Sequence, residues 1–164
     1  SYPLVPLQII LLAFLNDIPI ISLATDRVGI SSKPSQVNVK ERFTLSLWFG
    51  AIGIAESVLL FLLARYLMHL PLVAVQTMFF LKLTVSGHML IFVAHTKKRW
   101  YEFFPSWQVI VATIATQLVA TLLALTGWLM PAAVTLAEVA FVWLWAFLWM
   151  QVAEAAKYWI LKLS

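Results

Sequence analysis

Asp17, Glu56 and Lys82 fall near the middle of long apolar runs, and the chemistry of this chain has to be sought around them. A charge at mid-membrane depth costs about 2.5 to 3.5 kcal/mol on insertion scales, so such a group faces protein or water and marks either a site or an internal pair. Asp17 stands in the string Leu15-Asn16-Asp17-Ile18-Pro19. Pro19 has no N–H to donate to the Leu15 carbonyl, so the string implies a helix broken beside the acid, with a free acceptor one turn before the proline. A free carbonyl and a carboxylate at mid-membrane are the usual parts of a proton or cation site. The candidate ion site is therefore Asp17 with Asn16, Leu15 and Pro19. A structural aspartate paired to a neighbouring helix is the alternative.

Glu56 and Lys82 lie in consecutive runs and read as a structural ion pair between adjacent helices. His88 reads as a packing or hydrogen-bonding residue, and its i,i+4 spacing from Thr84 is too common to carry meaning. Glu138 and Glu154 lie near the two ends of the last run and read as interfacial. No phosphate-binding Gly-rich loop, zinc-ligand cluster or nucleophile elbow occurs, so neither catalytic residues nor a metal site is expected in this chain.

The elements that position these groups follow from composition. Of 164 residues 63% are hydrophobic and 11% charged, and the mean hydropathy is +0.94; a soluble domain carries about 25% charged residues. So few charges cannot cover a core of this size, which excludes a water-soluble globular protein. A bilayer core of about 30 Å takes about 20 helical residues to cross. Five runs meet that length, at 5–25, 44–66, 73–95, 106–129 and 132–158. The expected fold is an all-α membrane protein, a bundle of five transmembrane helices in one domain, with no soluble domain and the lipid bilayer as its solvent.

Orientation follows from the basic residues. Arg27, Lys33, Lys40, Arg42, Lys97, Lys98, Arg99, Lys157 and Lys162 share one side, Arg65 takes the other, and Lys82 lies within a run. The positive-inside rule then puts the N-terminus outside and the C-terminus in the cytoplasm. Because the basic residues alternate with apolar runs, nucleic acid is not an expected partner. Trp48, Trp100, Trp107, Trp128 and Trp159 fall near run ends, where an indole prefers the interface; Trp143, Trp145 and Trp149 lie deeper and read as packing. Gly50, Ala51, Gly53 and Ala55, with Ala112, Ala115 and Ala120, permit close helix approach. The start Ser1-Tyr2-Pro3, without an initiator Met, suggests a piece of something longer.

Leu15-Asn16-Asp17-Ile18-Pro19-Ile20, continuing to Thr25-Asp26-Arg27-Val28, resembles the sixth transmembrane helix of P-type ATPases of the proton-pumping plasma-membrane (type IIIA) family. Leu90-Ile91-Phe92-Val93 before a basic run is similar to the end of the eighth helix. Pro105-Ser106-Trp107-Gln108 and Gly127-Trp128 bracket something like the ninth, and the chain from Trp143 resembles the tenth. The resemblance covers helices six to ten, essentially the whole chain. It implies that Asp17 is the proton-binding carboxylate, with Asn16 its neighbour, and that the chain is a C-terminal membrane fragment of a proton-transporting ATPase. The partners so implied are the proton, helices one to five and the cytoplasmic domains of the parent pump; ATP and Mg2+ would be bound outside this segment, leaving no cofactor in this chain. Ile18-Pro19 replaces the Gly-Thr of many plant and fungal members, which suggests a bacterial or archaeal branch and a cell-membrane location. Asp17 is the only acid in its run, which favours a proton over calcium or sodium. Neither the Asp-Lys-Thr-Gly-Thr phosphorylation motif nor the Thr-Gly-Glu motif of that family occurs in these residues. The alternative class is a free-standing cation channel or transporter resembling that half, which would close its site by homo-oligomerisation.

The chain has no cysteine, so single cysteines at Ser32 and Lys98 probe its topology. Both are expected to be protected from a membrane-impermeant thiol reagent in intact cells; labelling of either from outside would reverse the orientation.

Overall fold

A computed structural model describes residues 4–25 and 39–163. Arg27, Lys33 and the string Asp26-Arg27-Val28 lie outside the described residues. Five α-helices follow in order: α1 (Pro6–Ser22), α2 (Val39–Leu62), α3 (Leu72–Ala94), α4 (Trp107–Thr126) and α5 (Leu136–Leu163). The last four are long and apolar enough to cross a membrane. Seventeen residues of α1 rise about 26 Å at 1.5 Å each, and a single 3-10 turn, Leu23–Thr25, extends it.

Pro19 does not break α1 as the sequence implied: the helix runs on to Ser22 before tightening. One missing hydrogen bond in a membrane helix is tolerated where neighbouring groups re-satisfy the backbone; the acceptor freed here is the Leu15 carbonyl, while Ser22 Oγ separately donates to the Pro19 carbonyl in the last turn at 2.6 Å. At its start Pro6 occupies the first turn, where its missing N–H is no loss. Gln8 Oε1 there accepts from the Val5 N–H at 3.0 Å.

Helix α2 begins at Val39 rather than near residue 44, with Glu41 in its first turn, where the positive end of the macrodipole favours a carboxylate. It ends in a π turn, Leu63–Leu67, closed by Arg65 Nη1 donating to the Leu70 carbonyl at 2.9 Å. Helix α4 stops at Gly127, whose φ of 70° is left-handed, and the Val134 N–H returns to the Ala124 carbonyl at 2.9 Å. That reversal consumes residues 132–134, so α5 starts at Leu136. A capping box starts it: the Thr135 N–H donates to Glu138 Oε2 at 2.6 Å and the Glu138 N–H to Thr135 Oγ1 at 3.3 Å.

Contacts between helix ends show that the five helices alternate in direction. Gln8 near the start of α1 reaches the Gln76 carbonyl at the start of α3, while Lys97 just after α3 pairs with Glu41 at the start of α2. The start of α1 and the end of α5 therefore lie at opposite ends of the bundle. Helix α3 is the axis: it packs against α1, α4 and α5, while α2 rests on α5. Met78, Phe80, Leu81 and Val85 of α3 meet Leu15, Leu60, Ala120, Ala124 and Val142 in the main core. The outer surface is apolar, with Ile21, Ile54, Val111 and Leu144 all exposed, the inverse of a soluble protein and the surface that lipid requires. Trp107, Trp128 and Trp159 are exposed near helix ends, Trp48 is exposed but lies well inside α2, Trp100 is half-buried in the loop after α3, and Trp143, Trp145 and Trp149 are half-buried.

A Cβ at Gly127 would lie 2.9 Å from the Ala133 nitrogen, whereas one at Gly50 would meet nothing within 4 Å. Gly127→Ala is expected to lose about 1 to 3 kcal/mol, and Gly50→Ala to be neutral or to gain up to about 1 kcal/mol. Unfolding of each variant in mixed micelles checks the contrast.

Candidate functional site

Two polar clusters lie on opposite sides of α3. On the α2 side, Lys82 Nζ stands 3.1 Å from Glu56 Oε2, with both side chains almost wholly buried. Lys82 also donates to Ser57 Oγ at 2.8 Å, and Ser86 Oγ donates to Glu56 Oε1 at 2.6 Å. Each ion thus has its counter-ion and a hydroxyl, the condition under which a buried pair is tolerated. The four residues are Glu56 and Ser57 on one helix and Lys82 and Ser86, one turn apart, on the other. Beside them opens a cleft of about 410 Å³ between α2, α3 and α5. Gly50 and Gly53 line it without a close neighbour, so among the described residues no helix uses the close approach that these glycines permit.

On the other side of α3, the α1 and α4 helices bring Leu15, Asn16, His88 and Thr116 together. The His88 ring is 1% exposed, with Thr116 Oγ1 3.4 Å from Nδ1. Its Nε2 makes no hydrogen bond of full geometry, but the ring interacts with the backbone of Leu15, the residue whose carbonyl Pro19 cannot engage. Asn16 turns toward α3, where its Oδ1 would lie 3.8 Å from a Cβ at Gly87, and that oxygen is buried without a hydrogen bond. Leu15 and Pro19 are buried as well.

Asp17 points the other way. It is exposed, one helical turn or two from Ile10, Phe14 and Ile21, which are 66%, 63% and 71% exposed. At 100° per residue these four share one face, opposite Gln8, Leu15 and Pro19. The structure therefore splits the candidate site: Leu15, Asn16 and Pro19 belong to the packed side of α1, and Asp17 to its open side. Among the described residues no three His, Asp or Glu side chains group as a metal site.

The chain is 36% identical over 163 residues to a protein of Methanocaldococcus jannaschii named as a cation-transporting ATPase, an alignment covering 98% of this chain and 20% of that relative. It is 26% identical over 141 residues to plasma membrane ATPase 1 of Saccharomyces cerevisiae, covering 84% of this chain and 15% of the relative. A plasma membrane ATPase of Dictyostelium discoideum is 28% identical over 127 residues. These relatives are P-type ATPases. The chain matches their C-terminal membrane part. It spans a fifth or less of the length of these curated relatives. No protein-family model matches it.

Within the segment that matches these relatives, the expectation for Glu154 is corrected. Glu154 is not at a wet interface: it is 5% exposed and pairs with the equally buried Lys157 at 2.9 Å. Lys157 Nζ also donates to the carbonyls of Val93 at 2.8 Å, Thr96 at 3.3 Å and Lys98 at 2.7 Å, so the end of α3 and the loop after it fold over both residues. Sequence reasoning also passed over Gln8, fully buried and bonded to the Gln76 carbonyl at 3.3 Å; its place three residues after Val5 and two after Pro6 is a helix-start signal. Thr116 was missed too, since a Thr on an apolar helix gives no sign of a histidine on another.

Glu56→Gln and Lys82→Met are each expected to destabilise the bundle by about 3 kcal/mol, because each leaves a buried partner unpaired. The double variant should lose at least 1 kcal/mol less than the two together. Additive losses in a denaturation cycle would mean that the two ions are uncoupled.

Proposed function

We propose that the chain is the ion-handling membrane part of an ATP-driven cation pump of the plasma membrane, in which Asp17 takes up and releases a proton. The observation that carries this reading is the two-faced α1. A carboxylate in a short, proline-containing helix is aimed away from its own bundle, while the opposite face is locked to α3 and α4. A lone acid on an apolar face is unfavourable against lipid, so the face is suited to be covered by further helices such as the longer relatives have room to supply. The relatives' names, cation-transporting and plasma membrane ATPase, support a cation as cargo.

On this reading the carboxylate binds the proton as O–H when open to one side and gives it up when open to the other. The Leu15 region, held by Pro19, His88 and Asn16, keeps the backbone beside it in place. The Glu56–Lys82 pair and the Glu154–Lys157 clamp keep α2, α3 and α5 together while α1 works. ATP and Mg2+ act outside these residues, and this chain's part is confined to holding and moving the proton.

Asp17→Asn is nearly isosteric and is expected to leave folding in lipid unchanged or slightly improved, while ATP-driven proton uptake into vesicles by the intact pump is lost. Asp17→Glu keeps a titratable group one methylene further out and is expected to retain partial activity with a shifted pH optimum. Pumping at the wild-type rate by the Asn variant would make Asp17 structural.

A further inference from the structure

Where the end of α3 folds over α5, a pocket of about 240 Å³ is lined by Lys97, Arg99, Glu154, Lys157, Tyr158 and Lys162. Four cations surround one carboxylate, and that carboxylate is already neutralised by Lys157 at 2.9 Å. Lys97 is 2.5 Å from Glu41. Among the described residues no carboxylate pairs with Arg99 or Lys162. Their contacts are aromatic instead: the Arg99 guanidinium lies 5.1 Å from the centre of the Tyr158 ring, and Lys162 Nζ lies 5.7 Å from that of Trp159. Such contacts hold a cation in place without cancelling its charge.

The surroundings place this excess positive charge at the lipid headgroups. Tyr101, Tyr158 and Trp159 are exposed at this end of the bundle, the arrangement of an interfacial aromatic belt. Along α5 toward the membrane interior, Ala155, Leu148 and Leu144 continue the face of Lys162 at helical spacing, with Phe147 beside Leu144, and all four are exposed, which leaves an apolar track past the half-buried Gln151 below the pocket.

We propose that this pocket binds the phosphodiester headgroup of an anionic phospholipid in the membrane leaflet on the side of the chain's C-terminal end. The phosphate sits against Arg99 and Lys162 with Lys97 at the rim, and the acyl chains follow the Leu144 and Phe147 track. Bound there, the lipid bridges the loop after α3 to the last turns of α5. Nothing in this assignment depends on Asp17.

The test is native mass spectrometry of the intact protein in neutral detergent, titrated with dioctanoyl phosphatidylglycerol, dioctanoyl phosphatidylcholine or inorganic phosphate. Phosphatidylglycerol is expected to be retained in preference to phosphatidylcholine, and inorganic phosphate is expected neither to be retained nor to displace it. Arg99→Gln with Lys162→Gln, both exposed positions, should weaken retention by about fivefold for each cation removed, whereas Lys40→Gln, also exposed and basic, should leave it unchanged. Equal retention of both lipids, equal retention by the double variant, or displacement by inorganic phosphate would each overturn the assignment.

Discussion

Hydrocarbon offers no hydrogen bonds, and the arrangement of this bundle follows from where its polar groups find partners. Helix α3 carries most of them. Gln76, Thr77, Lys82, Thr84 and His88 are all buried on it; Thr84 donates to the Phe80 carbonyl of its own helix, and groups from every other helix or its flanking turn meet the rest of this polar row. Gln8 of α1 reaches the Gln76 carbonyl, Thr77 donates to the Ala132 carbonyl ahead of α5 at 2.8 Å, Glu56 and Ser57 of α2 hold Lys82, and Thr116 of α4 meets His88. Apolar packing alone gives little preference between one helix neighbour and another when lipid tails are equally apolar. These pairings supply that preference.

Asp17 gains its meaning from this arrangement. Because the Leu15 side of α1 is committed to α3 and α4, α1 cannot roll to bury its acid within these five helices without giving up those contacts. The likeness to the C-terminal membrane part of P-type ATPases and the outward acid are consistent with the proposed function, in which these five helices brace one face rather than close a cage around it. The cleft beside Glu56 and Lys82 marks the looser side of that unit, where α2 leans on α5 and meets α3 across a fully paired set of charges and hydroxyls.

The five-helix plan was legible because lipid-spanning length and charge breaks are local properties of sequence. Helix bounds shifted where turn chemistry decided them. The Thr135 and Glu138 capping box moved the start of α5 to Leu136. The partnership of Glu56 with Lys82 could be anticipated because two opposite charges in adjacent apolar runs have few other solutions. Glu154 was misread because distance along a helix says nothing of a loop folding over it, and Lys157's three carbonyl acceptors all lie about 60 positions away in sequence. The opposed directions of Asn16 and Asp17 were open to helical periodicity, but which direction faced the bundle depended on α3 and α4.

The central claim is that α1 presents Asn16 to α3 and Asp17 away from it. Cysteine pairs decide it directly in this cysteine-free sequence: Asn16→Cys with Gly87→Cys, and Asp17→Cys with Gly87→Cys, each treated with a mild oxidant in membranes. The structure predicts that the first pair forms a disulfide and the second does not. Crosslinking of the second pair in preference to the first would contradict it.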